Sequence, residues 1–226
     1  MNVDFTIISI GALSHNRLWG EAGAMRTSHA TTTLVTDDKH LLLVDPSLPP
    51  TALAARFNER TGKSLSQVTD VCCTTLRPVH RRSIAVMPQA NWYATETELM
   101  SHREYLRTLA GSMDRLGSED RKAVEEDIKL LERFKIAPDK FSPQIHLYPL
   151  NGPSLGSAGL LLTPATQTVI IAGDAALTSG HVLAGQVWEG CYDAELAMDS
   201  LQDLLEIGDL IVPGHDNVML APKRMF

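Results

Sequence analysis

The sequence contains little cysteine, with only 3 such residues in a chain of 226. Cys72 and Cys73 are neighbours in an apolar run, Cys191 lies far from them, and no C-x-x-C spacing occurs. An odd count in this arrangement argues against a disulfide framework and a cysteine-rich zinc site, and indicates a reducing compartment. We expect Cys72 and Cys73 to be core residues on opposite faces of a strand.

An excess of positive charge and long apolar runs are also lacking. The chain has 20 Lys and Arg against 27 Asp and Glu, which gives a formal net charge of −7. This balance argues against a nucleic-acid partner, because such partners need a basic surface. No apolar run approaches membrane-spanning length, and residues 1–13 have neither the basic start nor the cleavage site of a signal peptide. We therefore expect a cytoplasmic location and no membrane partner.

Hydrophobic residues are plentiful, at 44% of the chain, which is enough for a sizeable core. Short β-type runs and amphipathic helical stretches are mixed along the chain, as is typical of a layered α/β domain. The predicted strands are residues 5–10, 31–35, 41–44, 68–73, 92–94, 145–148, 158–163, 168–171 and 210–212, and the predicted helices with their caps are residues 51–60, 95–109, 118–134 and 193–207. We predict a single domain over residues 1–226, with a helical insert at about 95–138.

Capping residues predict where the helices of the insert begin. Thr95, with Glu98 three residues later, predicts a capping box at the start of the first helix. Ser118 predicts the N-cap of the second helix, which is expected to continue to Phe134. The charge-rich helices around Arg103 and Arg133 are expected to present solvated faces or to form one side of an oligomer contact.

Four stretches that follow or end predicted strands carry the residues that are able to bind a metal or take part in a reaction. Residues 74–83 follow an apolar strand and read T-T-L-R-P-V-H-R-R-S. Residues 148–157 read Y-P-L-N-G-P-S-L-G-S, residues 169–174 read V-I-I-A-G-D, and residues 210–215 read L-I-V-P-G-H. The last two stretches each close a strand with a residue able to bind a metal, Asp174 and His215.

In this order, the four stretches resemble the metal-binding segments of the metallo-β-lactamase superfamily, whose first segment reads T-H-x-H-x-D-H. Thr74 and His80 match the first and last residues of that segment. Asp174 matches the Asp that bridges the two metals in the family, and His215 matches the last ligand. The resemblance spans nearly the whole chain and implies a four-layer αβ/βα sandwich.

Further matches narrow the resemblance to a branch of the superfamily. Residues 148–157 are similar to the segment P-T-P-G-H-T-P-G-S at Gly152, Gly156 and Ser157. Asp45 matches an Asp that closes an early strand beside the site, and we interpret it as a structural turn residue rather than a catalytic one. With the long helical insert, these features are closest to the lactonase and glyoxalase-II-like hydrolases.

The superfamily's hydrolases hold two metal ions, and the resemblance implies that this chain has lost one of the two sites. The histidines of the first site are all replaced, by Thr75, Arg77 and Pro153. The second site keeps three ligands, His80, Asp174 and His215. Its Asp is replaced by Val79. Two imidazoles and one carboxylate are still a legitimate set for one Zn, Fe or Mn ion, with open positions for water.

Arg77 is the informative substitution, because a guanidinium cannot bind a cation and keeps its charge in proteins. In place of a first-site histidine, it repels a metal ion there and pairs naturally with Asp174. We therefore expect Arg77 to replace the first metal electrostatically. The same pairing would compete with a metal at the second site for Asp174.

Two functions from different classes are compatible with this pattern. The first is a metal-dependent hydrolase in which one ion on His80, Asp174 and His215 activates a water to attack an ester, lactone or thioester carbonyl. Asp174 and Arg77 are then the catalytic residues, with Arg77 holding a substrate anion or the developing oxyanion. The second is a metal-free, non-catalytic protein that binds a small anionic ligand near Arg77 or acts in assembly, for example as a homo-oligomer.

Each candidate residue also has a purely structural interpretation. His80 and His215 can be ordinary loop histidines, and Asp174 can be a turn or helix-capping acid. Other polar or aromatic residues lie in loops able to line a pocket, although each alone is more often a surface or packing residue: His29, His181, Trp19 and Glu21.

Overall fold

The computed structural model describes residues 2–111 and 117–222. The strands of one sheet are β1 (Asp4–Ser9), β2 (Thr32–Thr36), β3 (Leu41–Val44), β4 (Asp70–Cys72), β5 (Asn91–Ala94) and β6 (Phe134–Ile136). Those of the other are β7 (Lys140–Ser142), β8 (Ile145–Pro149), β9 (Ala158–Leu162), β10 (Val169–Gly173), β11 (Leu210–Pro213) and β12 (Met219–Leu220). The α-helices are α1 (Pro50–Thr61), α2 (Glu96–Ala110), α3 (Ser118–Leu131), α4 (Ser179–Ala184) and α5 (Ala194–Ile207). Among the described residues, none of these helices combines the length and the apolar character that a membrane span requires.

The two six-stranded sheets run in the orders β1-β2-β3-β4-β5-β6 and β12-β11-β10-β9-β8-β7. Three apolar clusters separate the layers. The sheets pack on each other through residues such as Val44, Leu160 and Val212. Helices α1 to α3 cover the outer face of the first sheet, and α4 and α5 cover that of the second. This is the four-layer αβ/βα sandwich that the sequence predicts.

Central strands are apolar on both faces because each sheet is covered on both sides. In β3, Leu42 and Val44 face the other sheet, while Leu43 faces the helices, as the two-residue period of a strand requires. Cys72 and Cys73 follow the same alternation, since one lies between the sheets and the other under the helices. Both are buried free thiols, as predicted.

Local caps determine the end of α1 and the start of α5. Gly62 ends α1 in the left-handed conformation, at φ 68°, and its N–H donates to the carbonyl of Asn58 at 2.8 Å. Asp193 caps α5 by accepting from the N–H of Leu196 at 3.0 Å. These interactions involve only residues close in sequence, which is why the sequence alone predicts them.

The predicted cap and end of the second insert helix are wrong. Gly117 is the N-cap of α3 and Ser118 its first helical residue, and the helix ends at Leu131. Phe134 belongs to β6, where it pairs with Trp92 of the parallel strand β5. The two rings lie 5.8 Å apart, so a tertiary aromatic contact extends the sheet where the helical period predicts one more turn.

Arg103 and Arg133 of the insert are exposed, but one of its carboxylates is not on a solvated face. The guanidinium of Arg81, in the loop after β4, holds both oxygens of Asp127 on α3, at 2.5 and 2.7 Å. His102 on α2 lies 3.2 Å from the same carboxylate. Arg81 also donates to the carbonyl of Leu76 at 2.5 Å. A half-buried ionic cluster therefore joins both insert helices to the loop that carries Arg77 and His80.

We predict that Asp127 contributes pH-dependent stability. Burial disfavours its charged form, but hydrogen bonds from His102 and Arg81 outweigh that effect and lower the pKa of Asp127 to about 2. A lowered pKa stabilises the fold above the ordinary value near 3.8, and this contribution is lost as the pH falls towards 2. The difference in unfolding free energy between the wild type and Asp127→Asn is expected to shrink by about 2 kcal/mol between pH 5 and pH 2.

Urea unfolding followed by circular dichroism at several pH values measures this difference. Asp120→Asn, at an exposed position of the same helix, is the matched control. A constant difference for Asp127→Asn across this range would contradict the assignment.

Candidate metal centre

The site lies where loops leave the carboxyl ends of four strands. Asp45 follows β3, the loop with Arg77 and His80 follows β4, Asp174 follows β10, and His215 follows β11. Strands β3 and β4 are parallel, as are β10 and β11, so both sheets direct these loops to the same edge. This is the edge at which α/β sheets usually bind ligands.

Three residues predicted as metal ligands meet there. His80, Asp174 and His215 are buried, and each offers one ligand atom within 4.8 Å of the other two. Oδ1 of Asp174 lies 3.2 Å from Nε2 of His80 and 3.3 Å from Nε2 of His215. The two rings are nearly perpendicular, at 84°. His80 and His215, which are 135 positions apart in the chain, thus belong to one compact cluster.

The other nitrogen of each imidazole is held by an oxygen that accepts hydrogen bonds. Nδ1 of His80 is 3.0 Å from Oδ2 of Asp45, and Nδ1 of His215 is 2.9 Å from the carbonyl oxygen of His29. Because a carboxylate and a carbonyl can only accept, each Nδ1 carries a proton. Both Nε2 atoms therefore face Asp174, in the orientation that such partners impose on metal-binding histidines.

Asp45 acts on the site through its neighbours. Its carboxylate accepts from the backbone N–H of Thr74 at 2.9 Å and from the Thr74 hydroxyl at 2.7 Å, in addition to His80. The residue is buried and is the one described non-glycine residue with positive φ, at 49°. Few residues other than glycine adopt this conformation, although Asp tolerates it better than most. The backbone at the end of β3 is thus held in a special geometry that presents one carboxylate to two site residues.

Charge at the cluster is dominated by the two buried acids. Burial favours neutral Asp174, but the positive charge of His80, with smaller contributions from His215, keeps the pKa of Asp174 well below its usual range. Burial also favours neutral His80, but Asp174 and Asp45 together raise its pKa to about 10. In the absence of another cation, His80 is therefore protonated at neutral pH.

Arg77 occupies the side of Asp174 opposite the histidines. Its Nη1 donates to Oδ2 of Asp174 at 2.7 Å, which is the predicted pairing. Its Nη2 donates to the carbonyl of Pro153, and its backbone N–H donates to the Thr75 hydroxyl at 3.0 Å. Its guanidinium also lies 4.2 Å from the ring centre of Trp188, in a cation–π contact. Arg77 therefore links Thr75, through its backbone, with Pro153, Asp174 and Trp188, through its guanidinium.

Glu98 is a site residue that sequence reasoning assigned to the wrong contact. Thr95 accepts from the Glu98 N–H at 3.1 Å as predicted, but the Glu98 side chain does not return to complete a capping box. Its carboxylate instead accepts from the N–H of Leu76 at 2.8 Å, the hydroxyl of Ser154 at 2.7 Å and the N–H of Gly156 at 3.2 Å. Glu98 thus ties the Arg77 loop to the loop that carries Pro153.

Close packing explains why Gly156 is needed in that arrangement. A β-carbon there would lie 2.2 Å from the backbone nitrogen of Glu98, which is far inside van der Waals contact. The capping pattern and the G-x-x-x-G-S stretch were both visible in the sequence, but nothing local in either one indicates their mutual contact.

A cavity of about 290 Å³ opens onto the cluster, at the small end of the range for ligand sites. Its polar lining includes Arg77, Asp174 and His215, together with Ser14, His15, Arg17, Ser28, His181, Gln186 and Glu189. Its apolar walls come from Leu13, Leu18, Leu177, Val187 and Trp188. Of the loop residues suggested by the sequence, the structure places the side chain of His181 in this cavity. Trp19 is 69% exposed, and Glu21 pairs with Arg26 away from it.

The layers, strand orders and placement of the site define the metallo-β-lactamase fold, and solved structures agree. A Thermotoga maritima protein provisionally described as a metallo-β-lactamase matches with a TM-score of 0.72 at 16% identity, over 97% of this chain and 100% of that chain. The dizinc quorum-quenching lactonase AidC matches with a TM-score of 0.62 at 14% identity, over 91% of this chain and 80% of that chain.

An N-acyl homoserine lactone hydrolase with its product at the catalytic metal centre matches with a TM-score of 0.61 at 18% identity, over 91% and 88% of the two chains. No protein-family model and no curated protein matches the chain. At these identities the likeness establishes the fold, and the chemistry has to be argued from the residues of this chain.

Removing the Glu98 carboxylate is expected to destabilise the protein strongly. Glu98→Ala leaves three donors without their acceptor in a buried place, so we predict a loss of about 3 kcal/mol in unfolding free energy. Glu96→Ala, an exposed glutamate in the first turn of the same helix, is the control and is expected to lose less than about 1 kcal/mol. Urea unfolding measures both changes, and equal small losses would show that the Glu98 contacts contribute little.

Proposed function

We propose that this protein is a metal-dependent hydrolase of a small ester, lactone or thioester, with one divalent ion held by His80, Asp174 and His215. One observation carries the proposal. Nε2 of His80 and Oδ1 of Asp174 are buried without a hydrogen-bond partner, although they lie 3.2 Å apart. Leaving buried polar atoms unpaired is unfavourable by roughly 1–3 kcal/mol each, so the site favours a cation between them.

The donor set fits such an ion. Two neutral imidazoles and one carboxylate suit Zn, Fe or Mn, and they leave coordination positions free for water and substrate. When bound, the ion supplies Lewis acidity and lowers the pKa of a coordinated water. Asp45 and the carbonyl of His29 supply the outer hydrogen bonds that hold the imidazoles in place.

The other residues of the site have defined tasks in this proposal. Arg77 keeps N–H groups beyond those used by Asp174 and Pro153, and its side chain lines the cavity. It is therefore placed to bind the acyl oxygen of a substrate as negative charge develops there. Trp188 covers one face of the guanidinium and excludes water from it. A small-molecule substrate also agrees with the size of the cavity.

The second candidate is a metal-free protein that binds a small anionic ligand at Arg77 or acts in assembly. Its support is that the cluster can balance its own charge. With a pKa of about 10, His80 is cationic at neutral pH without a metal, and Arg77 already pairs with Asp174. In this state a proton on His80 takes the place of the ion.

Metal content separates the two candidates. We expect tag-free protein to contain about one equivalent of Zn, Fe or Mn by mass spectrometry, and His80→Ala and His215→Ala to lose it. His146→Ala, which removes a histidine on β8 outside the cluster, is the control and is expected to retain the metal. Hydrolysis of a short aliphatic lactone, followed by acid release, is expected to fall in proportion to the metal content.

The opposite result favours the second candidate. Wild-type protein that is purified without metal, and that neither binds Zn, Fe or Mn nor melts at a higher temperature when they are added, would rule out the hydrolase.

Restoring first-site ligands tests the assignment of Arg77 as a substitute for a metal. Thr75→His with Arg77→His removes the fixed charge and adds two imidazoles, so we expect a higher metal content than in the wild type. Arg77→Met is the control that removes the charge without adding a ligand. If the double variant takes up no more metal than Arg77→Met does, the substitution of a metal by Arg77 is wrong.

A further inference from the structure

His181 is a polar residue of the cavity that the proposed chemistry does not use. It lies on α4 and lines the same cavity as Arg77, Asp174 and His215. Within the described part of the chain, the cluster of mutually close ligand atoms consists of His80, Asp174 and His215 and leaves it out. His181 is therefore a separate polar group on the wall of the cavity.

Its hydrogen bonds fix which ring nitrogen carries the proton. Nδ1 of His181 is 2.7 Å from the hydroxyl of Thr178, which also accepts from the backbone N–H of His181 at 3.3 Å. Thr178 is buried, and in the described residues its hydroxyl has no other acceptor. The hydroxyl therefore donates to Nδ1, which leaves the ring proton on Nε2.

Burial also favours the neutral form of this ring. Burial is the largest influence and lowers the pKa of His181, while the carboxylate of Glu189 opposes it. Glu189 lies at the solvent side of the cavity, where it pairs with the exposed Arg17. His181 therefore lies within reach of the charge at the entrance and outside the metal cluster. A neutral N–H there suits an uncharged oxygen acceptor better than an anion, for which Arg77 is the stronger partner.

Apolar and polar side chains both line the cavity around His181, and Arg17, Gln186 and Glu189 are among the polar ones. Leu18 packs beside Gly180, since a β-carbon on that glycine would lie 3.6 Å from the Leu18 side chain. Val187 and Leu177 complete the apolar part of the lining. A short alkyl chain fits this apolar part, and the His181 N–H beside it favours chains with an acceptor at that position, because an unpaired donor is unfavourable.

We infer that His181 is a specificity-determining residue whose Nε2–H donates to an uncharged oxygen in the acyl chain of the substrate. The substrate class is a small neutral ester, lactone or thioester with an ether or carbonyl oxygen beyond the scissile carbonyl. This inference rests on the proposed function only in taking an acyl compound as the ligand.

Two amides of equal size test the contact by binding, without relying on hydrolysis. N-phenyl methoxyacetamide and N-phenyl butanamide differ by one oxygen in place of one methylene group. Calorimetry gives their dissociation constants with the wild type, His181→Leu and His181→Gln. Comparing the ratio of the two constants between variants cancels differences that belong to the ligands themselves.

We expect the preference for the methoxy compound to be about tenfold greater in the wild type than in His181→Leu, the size of one neutral hydrogen bond. His181→Gln keeps an N–H near the position of Nε2 and is expected to restore most of that preference. An identical preference in all three proteins, or failure of the wild type to bind either amide, would overturn the assignment. His80→Ala separates the two proposals, since it removes a metal ligand and is expected to leave the His181-dependent preference in place.

Discussion

The carboxylate of Asp174 is the group on which the rest of the site depends. It is buried at the end of β10, where a lone negative charge would be unfavourable by several kcal/mol. Arg77 and His80 reach it from the first sheet, and His215 approaches it from a neighbouring strand of the second. Neutralising this one charge therefore joins the two halves of the sandwich at the edge where the cavity opens.

The two oxygens of Asp174 have different partners, and this division gives the site its chemistry. Oδ2 pairs with a guanidinium that is permanently charged. Oδ1 faces two imidazole nitrogens and has no hydrogen bond of its own. Oδ2 is thus permanently paired with a cation, while Oδ1 is open to either a proton or a metal ion. The two candidate functions differ only in which of these occupies the open side.

Much of the site could be predicted from the sequence, because its residues close strands whose positions the fold determines. Asp174 and His215 follow the parallel strands β10 and β11, and the loop with Arg77 and His80 follows a short buried strand. Their convergence was expected from the resemblance of these stretches to the metal-binding segments of the metallo-β-lactamase superfamily. Trp188 gave no such signal, because it contacts Arg77 from a loop more than a hundred residues away.

Side chains of the insert helices were the hardest to assign. Glu98 and Asp127 lie in charged, amphipathic sequences in which a buried carboxylate and a solvated one look alike. Only the tertiary structure shows that Glu98 holds two loops together and that Asp127 pairs with Arg81. Phe134 shows the same limit for secondary structure, since an apolar residue at helical spacing is equally suited to a short strand.

The positive charge of Arg77 is present whether or not a metal ion is available to the protein. A bound ion exchanges with its surroundings and can be removed by chelators, whereas a side chain is synthesised with the protein. Metal-dependent folds whose acids rely on the ion alone lose stability when it is withdrawn. Here part of the compensating charge arrives with the polypeptide itself, because the guanidinium of Arg77 pairs with Oδ2 of Asp174.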